Sequence, residues 1–150
     1  MRGYLLDTNV ISMLSPSRDD ASPAFLQWLE DRDREGRIFL SVITVHEIEK
    51  GIALLEHKGA TAKARDLLAW NNGLVDTYDD RILEFDAHAA ATAGRLEVRA
   101  VAAGHDPGMA DAAIAGIAEA RELVIVTANI RHFEPFSVPT SSPSEVIRLT

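Results

Sequence analysis

Apolar runs alternate along the chain with segments in which apolar residues recur every three or four positions. The runs predict strands over residues 4–6, 38–43, 81–85 and 123–126, and a weaker run predicts a fifth over residues 146–149. Strands that alternate with helices usually form a parallel sheet with helices on both of its faces. The pattern therefore predicts an α/β fold.

The helical segments are expected to turn particular side chains inward. Four stripes have helical spacing, and the last of them is rich in alanine and runs for about four turns. In chain order they are Phe25, Leu26 and Leu29 before the second strand, then Ile48, Ile52 and Leu55, then Leu67, Leu68 and Asn71, and finally Ala87, Ala90, Ala91, Gly94, Val98 and Val101. Small residues in the fourth stripe predict close packing. The next helix should have Asp106 as its cap, Pro107 in its first turn and Ile114 facing inward. Residues 135–143, which include three prolines, predict a loop.

Length and composition favour a soluble protein with one domain. The 150 residues are enough for one compact domain with a core and too few for two ordinary ones, so residues 1–150 are expected to form a single unit. No apolar stretch approaches the roughly 18 residues that span a membrane, and the residues before the first strand lack the long apolar core that is expected of a signal peptide. The chain has no cysteine, which excludes disulfides and thiolate metal sites. A cytoplasmic location is expected.

The formal net charge of -8 disfavours tight sequence-specific binding to a nucleic-acid duplex, because such proteins usually carry a basic face. It does not exclude cleavage of nucleic acid. A nuclease can arrange acidic residues around cations that then attract phosphate, so that bound metal reverses the sign of the local field.

Three acidic residues lie at unusual places. Asp7 directly follows the first strand, Glu47 follows the second, and Asp111 lies on the inward stripe of its helix. Asp7 could simply cap the next helix, and Thr44 with Glu47 matches a capping box, so capping alone explains two of the three. Asp111 is different, because a buried unpaired carboxylate is costly and no lysine or arginine lies three or four residues away.

Taken together, the three acids predict a metal site. The carboxyl ends of parallel strands lie at one edge of a sheet, so Asp7 and Glu47 should meet there, and Asp111 reaches the same edge from the helix before the fourth strand. Facing carboxylates repel unless a cation neutralises them, and Mg²⁺ and Mn²⁺ both prefer oxygen ligands. Asn129 could add an amide oxygen and Thr127 a hydroxyl. Such a site suits phosphodiester hydrolysis.

Four segments resemble the motifs of the PIN domain, in the family's order and at suitable spacing. They are residues 5–11 (LLDTNVI), 41–51 (SVITVHEIEKG), 111–115 (DAAIA) and 126–129 (VTAN), the last followed by His132 and Phe133. The chain is most similar to toxin ribonucleases of the VapC and FitB type, and the similarity spans nearly its whole length.

The resemblance implies a three-layer α/β/α sandwich around a parallel sheet of four to five strands. It also implies a Mg²⁺-dependent endoribonuclease, the toxin of a type II toxin-antitoxin pair, with a small antitoxin as its partner. Asp7, Glu47 and Asp111 fall on the family's three acidic positions. Asn129 stands where the family often has a fourth acid, and His132 stands where an aspartate often precedes the phenylalanine. The sequence does not distinguish a tRNA substrate from an mRNA.

A homodimer is also expected. Toxins of this type commonly dimerise, and Trp28, Trp70 and Leu74 lie on predicted outer helices. The simpler explanation is that these side chains only complete the core, because large aromatic residues are often mostly buried in monomers.

Other functions were compared with the same residues. A phosphatase of the haloacid dehalogenase type also begins with an aspartate after its first strand, but it usually needs a second aspartate two residues later, where Asn9 stands. A zinc protease needs His-Glu-x-x-His, and the segment that begins at His46 has Lys50 in the last position. A non-catalytic binding module with the same fold stays open, and the intact acid triad argues against it.

Overall fold

A sheet of five parallel strands forms the centre of the protein in the computed structural model, which describes residues 2–149. In chain order the strands are β1 (Tyr4–Leu6), β2 (Ile38–Ser41), β3 (Ile82–Leu83), β4 (Val124–Val126) and β5 (Thr140–Ser141). Across the sheet their order is β3-β2-β1-β4-β5, so the strand order reverses between β1 and β4. Ligand sites of parallel sheets form at the carboxyl ends of strands at such a reversal.

Seven α-helices join and cover the strands within residues 2–149. They are α1 (Thr8–Met13), α2 (Pro23–Arg34), α3 (Val42–His57), α4 (Thr61–Tyr78), α5 (Ala87–Ala102), α6 (Met109–Ala120) and α7 (Pro143–Arg148). Short 3-10 turns precede β3 and β5.

Successive side chains of β1 point to opposite faces of the sheet and enter two separate cores. Leu5 packs in a cluster with residues of α5 and α6, such as Leu96 and Ile117. Leu6 packs in a second cluster with α1 and α2, where Phe25 and Trp28 lie stacked with ring centroids 5.6 Å apart. The structure thus confirms the predicted α/β/α sandwich.

The strand predictions were correct at the centre of the sheet and wrong at its edges. The run over residues 38–43 ends as a strand at Ser41, because Ser41 caps α3, and the run over 81–85 forms only two residues of strand. The predicted loop over 135–143 contains β5. Residues 146–149 do not form a strand but lie at the end of α7, which begins with a capping box between Ser142 and Glu145.

The alanine-rich stripe predicted to face inward on α5 is exposed instead. The buried face of α5 consists of Ala89, Ala93, Leu96 and Ala100, and Val98 and Val101 are 68% and 61% exposed. Both stripes have helical spacing and both contain alanines, so periodicity alone could not separate them. Leu96, the largest apolar side chain of the helix, is on the buried side.

Two further helix predictions were wrong in detail. Leu26 is exposed, and Trp28 takes its expected place in the core beside Phe25. The helix predicted to start after Asp106 begins at Met109 with Gly108 as its cap, so Asp106 and Pro107 precede it.

Helices α5 and α6 pack closely because Gly116 has no side chain. A Cβ atom at this position would lie 2.6 Å from the carbonyl oxygen of Ala89 and 2.7 Å from the Cβ atom of Ala93. Both neighbours belong to the α5 backbone or lie next to it, so neither can move without shifting the helix. The contact keeps α6, and therefore Asp111 at its start, at a fixed depth against the sheet.

We expect Gly116→Ala to lower the free energy of unfolding by about 1–3 kcal/mol, the usual range for overpacking a core. The matched control is Gly73→Ala in α4, where a Cβ would meet nothing within 4 Å. That change should stabilise the protein by about 0.5 kcal/mol, because alanine favours helix more than glycine does. Urea unfolding measures both variants, and equal stabilities would contradict the close helix contact.

Candidate metal-dependent active site

Asp7 lies where β1 and β4 end side by side. Its backbone N–H donates to the carbonyl of Val126 at 2.9 Å, which extends the pairing of the two strands by one residue. Its carboxylate is largely buried and accepts on both oxygens, from the Thr8 N–H at Oδ1 and from the Thr127 hydroxyl at Oδ2, each at 2.8 Å. Asp7 therefore caps α1, the structural role that its position after a strand predicted, and it also lines the candidate site.

Thr8 links Asp7 to Glu47. Its hydroxyl donates to Glu47 Oε1 at 2.6 Å and lies 3.0 Å from the hydroxyl of Thr44. A threonine hydroxyl carries one hydrogen, so a Thr8 that donates to Glu47 accepts from Thr44. The first turn of α1 thus holds two of the three acids, one through its backbone and one through its side chain.

The capping box predicted from Thr44 and Glu47 is wrong. Ser41 is the cap of α3, and its hydroxyl accepts from the Thr44 N–H at 3.2 Å. Glu47 lies in the second turn of the helix, beyond the reach of a capping role. Its carboxylate faces Thr8 instead.

Asp111 lies in the first turn of α6, where the unpaired N–H groups of the helix favour a negative charge. Its side chain is 30% exposed, and the nearest cation-forming group is His132, whose Nδ1 lies 3.5 Å from Asp111 Oδ2. No neighbouring residue of α6 pairs with Asp111, and its partner, His132, lies instead in the 3-10 turn after β4.

The segment after β4 is fixed to α1 by hydrogen bonds. The carboxamide oxygen of Asn9 accepts from the Ala128 N–H at 3.1 Å, and the hydroxyl of Thr127 accepts from the Asn129 N–H at 3.0 Å. Thr127 is fully buried. Its hydroxyl therefore orients Asp7 and the following loop from behind and does not line the cavity.

The remaining predicted residues line one cavity of about 500 Å³, which we call the acid cavity. Asp7, Glu47, Asp111 and Asn129 all contribute, from four different elements or loops. The full lining is Asp7, Thr8, Asn9, Ser12, Arg18, Glu47, Gly108, Ala110, Asp111, Asn129 and His132. Sequence reasoning missed Thr8, Ser12 and Arg18 here, although Thr8 directly follows Asp7 in the first motif.

Two acids of the cavity, Asp7 and Asp111, have a raised pKa. Burial raises the pKa of Asp7 above its usual value, against the lowering effect of its hydrogen bonds from Thr127 and Thr8, and the charges of Asp111 and Glu47 raise it further. Burial also raises the pKa of Asp111. The charge of His132 lowers that pKa, and the charge of Glu47 raises it. The three carboxylates therefore repel one another across the cavity, as expected of a site that binds a cation.

The donor atoms suit a hard divalent ion, since three carboxylates and the Asn129 amide are all oxygen ligands. Among residues 2–149, however, no three aspartate, glutamate, histidine or cysteine side chains are close enough together to hold a metal ion as they stand. Oxygens of all three acids face protein partners instead: Thr8 and Thr127 for Asp7, Thr8 for Glu47, and His132 for Asp111. The ligand atoms of these residues are of the type that a divalent metal ion prefers, and binding would require the side chains to turn toward the ion.

Helices long and apolar enough to cross a membrane are absent from the described residues.

The family model of the PIN domain matches residues 4–135. The plasmid stability protein StbB of Pseudomonas syringae pv. tomato is 34% identical over 94% of this chain and 98% of its own length. Toxin FitB of Neisseria gonorrhoeae is 31% identical over 93% and 96% of the two chains. The tRNA(fMet)-specific endonuclease VapC of Shigella flexneri is 28% identical over 89% and 92%.

Solved structures agree with these relatives. The crystal structure of FitAcB from Neisseria gonorrhoeae contains a chain that matches with a TM-score of 0.78 and 31% identity, over 94% of this chain and 98% of that one. The DNA-bound VapBC structure from Salmonella typhimurium matches with a TM-score of 0.70 and 26% identity, over 95% and 99%. The similarity in sequence and in fold extends along almost the entire chain. The chain therefore belongs to the PIN domain family, among its VapC- and FitB-type toxins of toxin-antitoxin pairs.

Proposed function

We propose that this toxin is a metal-dependent endoribonuclease that hydrolyses phosphodiester bonds of RNA at the acid cavity. The observation that carries the proposal is the convergence of Asp7, Glu47 and Asp111 on one cavity, with the pKa of Asp7 raised in part by the other two charges. A relative named as a tRNA(fMet)-specific endonuclease supports this reaction class. We assign the activity to the cytoplasm, where its RNA substrates are found.

Asp7, Glu47 and Asp111 would hold Mg²⁺ or Mn²⁺. When bound, the ion would supply an activated water and would neutralise charge on the phosphate. The other residues hold these side chains beside the cavity: Thr127 and the Thr8 N–H orient the two oxygens of Asp7, and the Thr8 hydroxyl holds Glu47, which would turn from it toward the ion. Outer partners of this kind set the orientation of metal ligands. Asn129, on the cavity wall, is positioned to contact substrate or water.

A phosphatase of the haloacid dehalogenase type is a poorer explanation of the same cavity. The position that would need a second acid is Asn9, whose carboxamide accepts from the Ala128 N–H and donates to Thr127 at 3.4 Å. Asn9 is therefore occupied in holding the loop after β4 and carries no acidic group. A generic phosphatase substrate should remain uncleaved under conditions in which RNA is cut.

Asp111→Asn should reduce RNA cleavage by more than about 100-fold, which exceeds the usual cost of losing an outer-shell partner of a metal. The metal-free protein should keep or gain thermal stability. Burial raises the pKa of Asp111, so its ionised form is unfavourable in the folded state at neutral pH, and a neutral amide removes that cost.

Glu119→Gln, which neutralises an exposed acid near the other end of α6, is the matched control for this variant. It should cleave RNA at the wild-type rate. Gel assays at saturating Mg²⁺ measure cleavage, and melting in EDTA measures stability. Full activity of Asp111→Asn would exclude Asp111 from the active site.

We propose further that a small antitoxin inhibits the enzyme by placing a cationic side chain in the acid cavity. An arginine or lysine can replace the charge of the metal on the carboxylates while its bulk blocks RNA. The net charge of -8 would also speed the encounter with a basic partner at low salt.

If metal and antitoxin compete for the same oxygens, inhibition should weaken as Mg²⁺ rises. The experiment titrates Mg²⁺ into a fixed mixture of toxin and its antitoxin, with KCl of equal ionic strength as the control for screening. An inhibition constant that follows ionic strength alone would mean that the antitoxin only covers the substrate path.

A homodimer through the exposed face of α5 is the third part of the proposal. Ala91, Gly94, Val98 and Val101 form an apolar stripe on this face, and exposed apolar stripes commonly mark interfaces. Trp28, one basis for expecting a dimer, is only 4% exposed and belongs to the core, and Trp70 and Leu74 pack against the same core cluster. The dimer therefore rests on α5 and not on these three residues.

Light scattering at tens of micromolar should give the mass of a dimer for the wild type and of a monomer for Val98→Glu. Leu54→Glu, which charges an exposed apolar position on α3, should remain dimeric. A monomeric wild type would contradict the proposed interface.

A further inference from the structure

Two cavities adjoin the acid cavity and extend it across the surface of α1, α3 and α4. The first, of about 330 Å³, shares Thr8, Ser12, Arg18 and Glu47 with the acid cavity. The second, of about 310 Å³, shares Ser17, Lys63 and Leu67 with the first. The two cavities form a continuous path that starts at the carboxylates of the acid cavity, and we call these two cavities the side groove.

Two cations line this path, beside the acids Glu47 and Asp66, in a protein with a net charge of -8. Arg18 is the one lysine or arginine among the residues that line the acid cavity, and it also lines the first part of the side groove. Lys63 lines both parts of the side groove beyond it. We infer that Arg18 and Lys63 contact successive phosphates of a single RNA strand and lead it into the acid cavity. This inference rests on the proposed nuclease function.

Arg18 is held at the mouth of the acid cavity by a folded loop. The N–H groups of Arg18 and Asp19 both donate to the carbonyl of Ser15, and the N–H of Asp20 donates to the carbonyl of Met13, which brings the loop back onto α1. The guanidinium pairs with Asp20 at 3.0 Å, but the two side chains are 50% and 49% exposed. Such exposed pairs contribute little stability, so a phosphate can replace Asp20 without a large loss.

The side groove is also lined by aromatic and apolar side chains that could contact RNA bases. Trp70 is half-buried on α4 and lines the groove beside Ile48 and Leu55. Proteins that bind single strands combine cations along the backbone with aromatic faces on which bases stack. The hydroxyls of Ser12 and Ser17 also line the groove and can contact phosphate or sugar oxygens, whereas Ser15 is buried, with its hydroxyl 3.1 Å from that of Ser17. Lys63 has no ion pair within residues 2–149, so its charge is available.

Binding of a fluorescent single-stranded RNA to the Asp111→Asn protein tests the inference without interference from cleavage. Arg18→Ala and Lys63→Ala, each in that background, should weaken binding and lower the slope of log Kd against log salt by roughly 0.7 per lost cation. Lys58→Ala, at an exposed position outside the side groove, should leave the slope unchanged.

A second variant separates contact with RNA from support of the loop. Asp20→Asn breaks the ion pair but keeps Arg18, so RNA binding should stay the same or tighten. Equal losses in Arg18→Ala and Asp20→Asn would show that the pair only holds the loop and would overturn the inference.

Unchanged RNA binding in Arg18→Ala and Lys63→Ala, with weaker binding of a protein partner, would assign the side groove to that partner and also overturn the inference. Failure of the nuclease function itself would show separately, as wild-type protein that cleaves no RNA at saturating Mg²⁺.

Discussion

The site depends on one buried interaction, the hydrogen bond that the Thr127 hydroxyl donates to Asp7 Oδ2 at 2.8 Å. A carboxylate at the end of β1 loses most of its water, and burial alone would leave it costly to ionise. Thr127 at the end of β4 and the Thr8 N–H replace that water with fixed donors. The pairing of β1 with β4 brings these groups together, so the sheet order that builds the core also fixes the first acid of the candidate site.

The central strands and the acids were predictable because their signals are local. β1 and β4 are short runs that are apolar in every position and are followed by polar residues, and their shortness favours a buried strand over a helix. The strand order could not be read from periodicity, yet parallel pairing alone places strand ends at one edge. Asp7, Glu47, Asp111 and Asn129 could therefore be expected to converge on one cavity, and the structure brings them there.

Sequence reasoning failed where two local patterns competed and tertiary contacts decided between them. Ser41 and Thr44 are both residue types that cap helices, and in the structure Ser41, the last residue of β2, is the cap while Thr44 lies within α3. On α5, two stripes of alanines have the same period, and burial of Leu96 decides which one faces α6. Arg18 carried no recognisable motif, because its place at the cavity comes from a loop whose path depends on backbone hydrogen bonds.

If the proposed function is correct, Asp7, Glu47 and Asp111 act together as ligands of one divalent ion. The direct measurement is anomalous diffraction from crystals of the wild-type protein soaked in Mn²⁺, because Mn²⁺ gives a strong anomalous signal and Mg²⁺ does not. We expect a peak within ligand distance of oxygens from all three carboxylates, about 2.0–2.2 Å for small hard cations, with the Glu47 side chain turned away from Thr8. A peak bound by other residues, or none at saturating Mn²⁺, would contradict it.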